Sequence, residues 1–122
     1  MKKIKCSYKL TESNVSTLLF TLDLMLNIYF DNVDYEVEGY YIDCAENAIH
    51  MLKNNVKKIP FEEFEVMVIS ICLAKQIINN SHTYEFIDEE TYDFASHIFD
   101  INSLYDQFKP YFEYIDFELL ES

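Results

Sequence analysis

From Val15 to Phe30 the chain reads VSTLLFTLDLMLNIYF, apolar around most of a helical circumference. Only Ser16, Asp23 and Asn27, with Thr17 and Thr21 beside them, leave a narrow polar stripe. A helix of that kind has to be enclosed by protein or by lipid. The run is shorter than the roughly 18 to 20 apolar residues that span a bilayer, and Asp23 interrupts it. Residues 13–30 are therefore read as a core helix that other segments must wrap.

The chain can supply those segments. Its 122 residues suit one domain, residues 1–122, with a single core. Ten Tyr and ten Phe put it outside the composition of disordered chains, and one Gly with two Pro is too little punctuation for a many-turned β-sandwich. Ile42, Ala45, Ala48, Ile49 and Leu52 recur at helical spacing and predict an amphipathic helix over about 40–54. Pro60, Glu62 and Glu63 suit a helix start, and VMVISICLA from Val66 to Ala74 predicts a second core helix running through Ile78. Asp88 is expected to cap a further helix with Tyr92, Ala95, Ile98 and Phe99 on one face, followed by short helices over 103–109 and 110–120. Ile4, Cys6, Tyr8 and Leu10 alternate with Lys3, Lys5, Ser7 and Lys9, the period of a strand. Since a lone strand is unstable, residues 3–9 are expected to pair with 33–37, with 83–87 or with a second copy of the chain. The expected fold is α+β and predominantly α-helical, with about five helices around the core helix and a minimal two- or three-stranded sheet. An all-α bundle is the alternative.

The formal net charge of −13 is unevenly spread. Residues 1–30 carry +2, 31–46 carry −6, 47–81 carry +1, and from His82 onward eleven acids face only Lys109. All nine cations are Lys. A chain without the bidentate guanidinium fork, and this acidic, repels phosphate, so direct nucleic-acid binding is not expected. Anionic membrane surfaces are disfavoured on the same ground. No apolar run close behind Met1 has the form of a secretory leader, and Cys6, Cys44 and Cys72 make an odd count among apolar neighbours. Both features predict a cytoplasmic protein with free, packed thiols.

Catalytic chemistry finds little to work with. Phosphate loops, dinucleotide fingerprints and nucleophile elbows need glycines that Gly39 alone cannot supply. Residues 31–38 match a calcium loop only in acidity, because Val33 and Tyr35 stand where oxygen ligands are required. His50, His82 and His97 share no metal spacing with the cysteines. The pairs Glu62 with Glu65, Glu89 with Asp93, and Glu113 with Asp116 fall at helical neighbour spacing, and in a chain with 22 acids they read as solvated surface. No catalytic residue, metal or cofactor is expected, and the chain reads as no enzyme.

The C-terminal third mixes its acids with eleven aromatics, more than one helix face can bury. Exposed tyrosines beside carboxylates form the kind of surface that docks a basic protein. Glu89, Glu90, Asp93, Glu113 and Asp116, with Tyr111 and Tyr114, are the expected contacts, and Asp34, Glu36 and Glu38 form a second cluster. The function expected from this pattern is a small inhibitor that covers the basic surface of a nucleic-acid-processing enzyme by mimicking phosphate charge. Phage or mobile-element anti-defence proteins such as anti-CRISPRs, and immunity proteins against nuclease toxins, act in this manner. The alternative is a homo-oligomerising module whose acidity only keeps it in solution.

Overall fold

The computed structural model describes residues 10–30 and 33–120. Four helices and one two-stranded antiparallel sheet follow in the order α1 (Glu12–Leu26), β1 (Ile28–Tyr29), α2 (Tyr35–Lys53), α3 (Phe61–Ile78), β2 (Glu85–Phe86) and α4 (Ile98–Phe108). Short 3-10 turns cover Ala95–His97, Lys109–Tyr114 and Glu118–Leu120. The protein is thus mostly helical with a minimal sheet, and the expected strand over 3–9 lies outside the described residues.

Thr11 starts α1 with a capping box: its hydroxyl accepts from the Asn14 N–H at 3.0 Å, and its own N–H donates to Asn14 Oδ1 at 3.2 Å. The helix stops at Leu26, four residues short of the expectation. Ile28 and Tyr29 instead pair with Phe86 and Glu85, so a short strand does form within 83–87, but its partner here is a segment expected to be helical. Inside an apolar run, periodicity cannot separate the last helical turn from a short strand. The decision comes from Asn27, whose amide nitrogen donates to the Asp88 carbonyl at 3.1 Å while its oxygen accepts from the Asp88 N–H at 2.9 Å. That clamp holds the later segment against the end of α1.

The strand expected over 33–37 is not formed either, because Tyr35 to Val37 belong to the first turn of α2. Val37 opens a helical stripe that continues through the buried Tyr41, Cys44, Ala45, Ala48 and Leu52, while Tyr35 points outwards at 91% exposed. Gly39 sits inside this helix, and a methyl group added there would meet nothing within 4 Å. Gly39→Ala is accordingly expected to raise the unfolding free energy by about 0.5–1 kcal/mol in urea titrations, since the backbone of the unfolded chain loses freedom and the native helix meets no clash. Asn55, at φ 53°, turns the chain out of α2 towards α3.

The most enclosed helix is α3, not α1. It packs against α1, α2 and α4, and every residue from Glu63 to Ile71 is buried. A sequence apolar on nearly every side is therefore surrounded on nearly every side. At its middle the Ser70 hydroxyl donates to the Met67 carbonyl at 2.8 Å and meets the Thr21 hydroxyl of α1 at 2.9 Å. Two buried polar groups thereby satisfy each other at the α1–α3 seam.

The helix expected to start at Asp88 does not form. Residues 88–94 run irregularly along α1, and the first full helical turns begin at Ile98. Tyr92 and Phe94 place their rings edge-on to Phe20 at 5.7 and 5.3 Å, and His97 stacks on the same ring at 4.4 Å. The His97 Nδ1 also meets the Thr17 hydroxyl at 2.9 Å. Aromatic packing on one residue of α1 outweighs local helix propensity here. As a result Ile98 and Phe99, expected to face inwards, are 40% and 81% exposed. The two short helices expected over 103–109 and 110–120 resolve into the end of α4, a 3-10 turn at Pro110 and a second at Glu118–Leu120.

Candidate functional site: a carboxylate face

The α2–α3 junction and the C-terminal segment meet in one acidic surface. Tyr41 of α2 donates from its hydroxyl to Glu118 at 3.4 Å, and the backbone N–H of Asp116 donates to Glu65 Oε2 of α3 at 3.2 Å. Asp116 Oδ1 in turn accepts from the Glu118 N–H at 3.0 Å, which fixes the turn that presents both acids. Glu38 joins from α2: it lines a small open hollow together with Tyr41, Ile42 and Leu119. Asp34 and Glu36 stand exposed at the start of α2, where the positive end of the helix dipole favours them.

The electrostatics of this face differ from those of a solvated surface. Glu63 and Glu65 are each only 8% exposed. Burial pushes both carboxyls above the usual Glu range, and neighbouring charges from Glu62, and for Glu65 from Asp116 and Glu118, push the same way. The N–H from Asp116 opposes this at Glu65. The Tyr40 hydroxyl is pushed up to about 12 by burial first and then by Cys44, Glu62 and Glu65, and that of Tyr41 higher still by burial and by Glu65, Asp116 and Glu118. Burial also raises the Cys44 thiol, with the Tyr40 hydroxyl opposing it and Glu63, Glu62 and Glu65 adding to it. Cys72 is pushed up to about 12 by burial alone. Among the described residues Glu62, Glu63, Glu65, Glu113 and Asp116 have no cation within ion-pair reach, and the same holds for Asp34, Glu36, Glu38, Glu89, Glu90 and Asp93. An exposed pair, Lys109 with Asp106 at 3.2 Å, lies on the last turn of α4.

A pH dependence follows from the two buried acids. Their folded values lie above the reference of 4.5, so the charged form opposes folding. Stability is expected to rise as pH falls from neutrality and to level off near 4.5, once both are protonated in either state. Asp93, held below its reference of 3.8 first by the Ser96 hydroxyl and then by its N–H, acts in the opposite sense only at lower pH. Glu65→Gln, which keeps an acceptor for the Asp116 N–H, is expected to raise the neutral-pH melting temperature and to flatten this profile. A melting temperature that falls between pH 7 and about 5 would show that burial does not govern these groups.

The expected contacts divide into three groups. Asp116 belongs to the acidic face, and Glu113 and Tyr114 stand exposed shortly before it. Tyr111 was expected at the surface, but it is half-buried with its ring 5.2 Å from Phe64, so its main role is packing. Glu89, Glu90 and Asp93 are exposed on the irregular segment along α1, and Asp93 is occupied in holding Ser96 through its N–H at 3.2 Å and its hydroxyl. Glu62, Glu63, Glu65, Glu118, Tyr40 and Tyr41 escaped the sequence reading as contacts. Glu62 and Glu65 had been read as a solvated pair, whereas Glu65 is enclosed. The signal was present, since Glu63 and Glu65 flank Phe64 at the mouth of a helix with no free face.

Among the described residues no set of three or more His, Cys, Asp or Glu is arranged to hold a metal ion, and no helix is long and apolar enough to cross a membrane. Comparisons with protein-family models, with curated proteins and with solved structures found no match to this chain.

Proposed function

We propose that the protein is a non-enzymatic inhibitor that docks its carboxylate face on the basic, nucleic-acid-binding surface of a partner enzyme. The observation that supports this is the face itself, where acids from α2, α3 and the C-terminal segment converge. Repulsion in such a cluster opposes folding, and a basic partner relieves it. Carboxylates also offer the acceptors and the negative charge that a phosphate backbone presents to Lys and Arg. Anti-defence inhibitors and immunity proteins against nuclease toxins are the classes that fit.

The test is affinity capture from the source lysate at low and high salt, with mass spectrometry of what is retained and duplex DNA and single-stranded RNA as competitors. A nucleic-acid-processing enzyme held at low salt, released at high salt and displaced by its own nucleic acid is the expected result. Retention that salt and nucleic acid both leave unchanged would sink the charge-mimicry reading.

One observation favours the alternative of self-association: Phe99, 81% exposed, stands beside Ile98, 40% exposed, at the start of α4. Light scattering on the wild-type protein and on Phe99→Ser separates the two. A salt-resistant dimer that the substitution abolishes would support the homo-oligomerising module.

A further inference from the structure

The hollow beside Glu38 is assembled from separate stretches of the chain. Met25 of α1, Ile28 of β1, Ile42 of α2 and Leu119 of the last 3-10 turn give it apolar walls, and Ile87, 47% exposed, stands at its edge. Glu38 and Tyr41 are the polar side chains that line it. Hydrogen bonds alongside hold these stretches together. The Ile87 N–H donates to the Asn27 carbonyl at 2.9 Å, and the Tyr41 hydroxyl donates to Glu118 at 3.4 Å, which brings a second carboxylate next to Tyr41 and Leu119. The hollow measures about 20 Å³ and opens to solvent, with room for one water molecule or a group of that size. Water is poorly held there, since an ordered molecule needs two to four polar partners and the Tyr41 hydroxyl already directs its hydrogen to Glu118. Replacing such water by an apolar group favours binding.

We infer that this hollow seats one lysine side chain of the partner protein, with its methylene stem against the apolar walls and its ammonium on Glu38. The inference rests on the docking function proposed above and names the side chain that the face selects. Two demands meet in one group, because the walls call for an aliphatic surface and the carboxylate beside them calls for a cation. Lysine answers both, since its stem lies along apolar surface while its charged end stays at the water boundary. Arginine fits less well: its planar fork is broad for a hollow of this size, and its stem is a methylene shorter. A wholly apolar side chain would fill the walls and bring nothing to Glu38. Asp34 and Glu36, exposed on the same helix, do not line the hollow, so their charges steer the partner without seating it.

The probe is hexalysine, titrated calorimetrically into the full chain at low salt and about pH 6.5, where its amines are charged. Glu38→Gln is expected to weaken binding by about fivefold or more, whereas Glu36→Gln, which removes the same charge from a different side of α2, changes it by less than about twofold. Equal losses at the two positions would overturn the seat and leave a diffuse acidic surface, with the docking function intact. Absence of any hexalysine binding to the wild-type chain would overturn the docking function itself. A second measurement reads the stem and needs no variant. A hexapeptide of 2,4-diaminobutyrate, equal in charge but two methylenes shorter in every side chain, is expected to bind about fivefold or more weakly than hexalysine. Equal affinities would mean that the apolar walls are not engaged and would overturn the inference. Ile42→Phe, which fills the hollow from α2, is expected to abolish the difference between the two peptides, and a difference that survives would place the stem elsewhere. A hexapeptide with its two central lysines replaced by norleucine is expected to bind more weakly than hexalysine. Binding as tight or tighter would assign the hollow to an apolar side chain and overturn the lysine seat.

Discussion

Phe64→Ala is expected to lower the unfolding free energy by about 3–5 kcal/mol, measured by urea denaturation of the wild-type and variant chains. The side chain is 1% exposed, and its ring meets Phe108 edge-on at 5.4 Å and Tyr111 at 5.2 Å. These three rings join the start of α3 to the end of α4 and to the 3-10 turn that follows. Truncation removes the buried ring area, leaves a cavity that rigid helices on either side cannot close, and deletes two edge-to-face contacts worth about 0.5–1.5 kcal/mol each. In a protein of this size that is a large part of the whole stability. Because Phe64 lies between Glu63 and Glu65, the variant is also expected to loosen the acidic face. Phe64→Leu, which refills most of the volume, is expected to recover more than half of the loss. A Phe64→Ala change of less than about 1 kcal/mol would mean that the three-ring contact does not hold the two helices together.

Asn27→Ala is expected to remove about 2 kcal/mol and, with it, the register of the small sheet. The Asn27 side chain, 9% exposed, satisfies both backbone groups of Asp88, while its backbone carbonyl accepts from the Ile87 N–H at 2.9 Å. Alanine keeps the last bond and orphans the other two groups at the point where the chain leaves β2. A two-residue strand pair has little stability of its own, so the segment from Glu85 to Phe94 should open more readily than the helices. Hydrogen exchange reads this directly: faster exchange at Ile87 and Asp88 with α3 unchanged is the expected result. Uniform acceleration throughout the chain would instead make Asn27 part of the global core, and no acceleration would show that water replaces the clamp.

Much of the fold was legible in residue spacing alone, and the exceptions share a cause. The start of α1 lies one residue from the expected 13, and α3 was readable because Pro60 and an unbroken apolar run leave one structure able to bury them. Residues 28–29, 33–37 and 88–97 were misread at the same level of description. In each, short-range pattern fits two structures, and a group distant in sequence selects between them: Asp88 for the end of α1, the packed stripe reaching Leu52 for the start of α2, Phe20 for the segment before α4.

The candidate site divides in the same way. Composition by itself fixed the excess of carboxylates and the absence of Arg, since charge is additive and needs no coordinates. Which carboxylates are enclosed was decided only by the tertiary structure. Glu63 and Glu65 read as part of an ordinary helix start until the fold encloses them, and from that point their surroundings, not their sequence, determine their chemistry. Desolvation depends on what is packed alongside, and no local pattern encodes it.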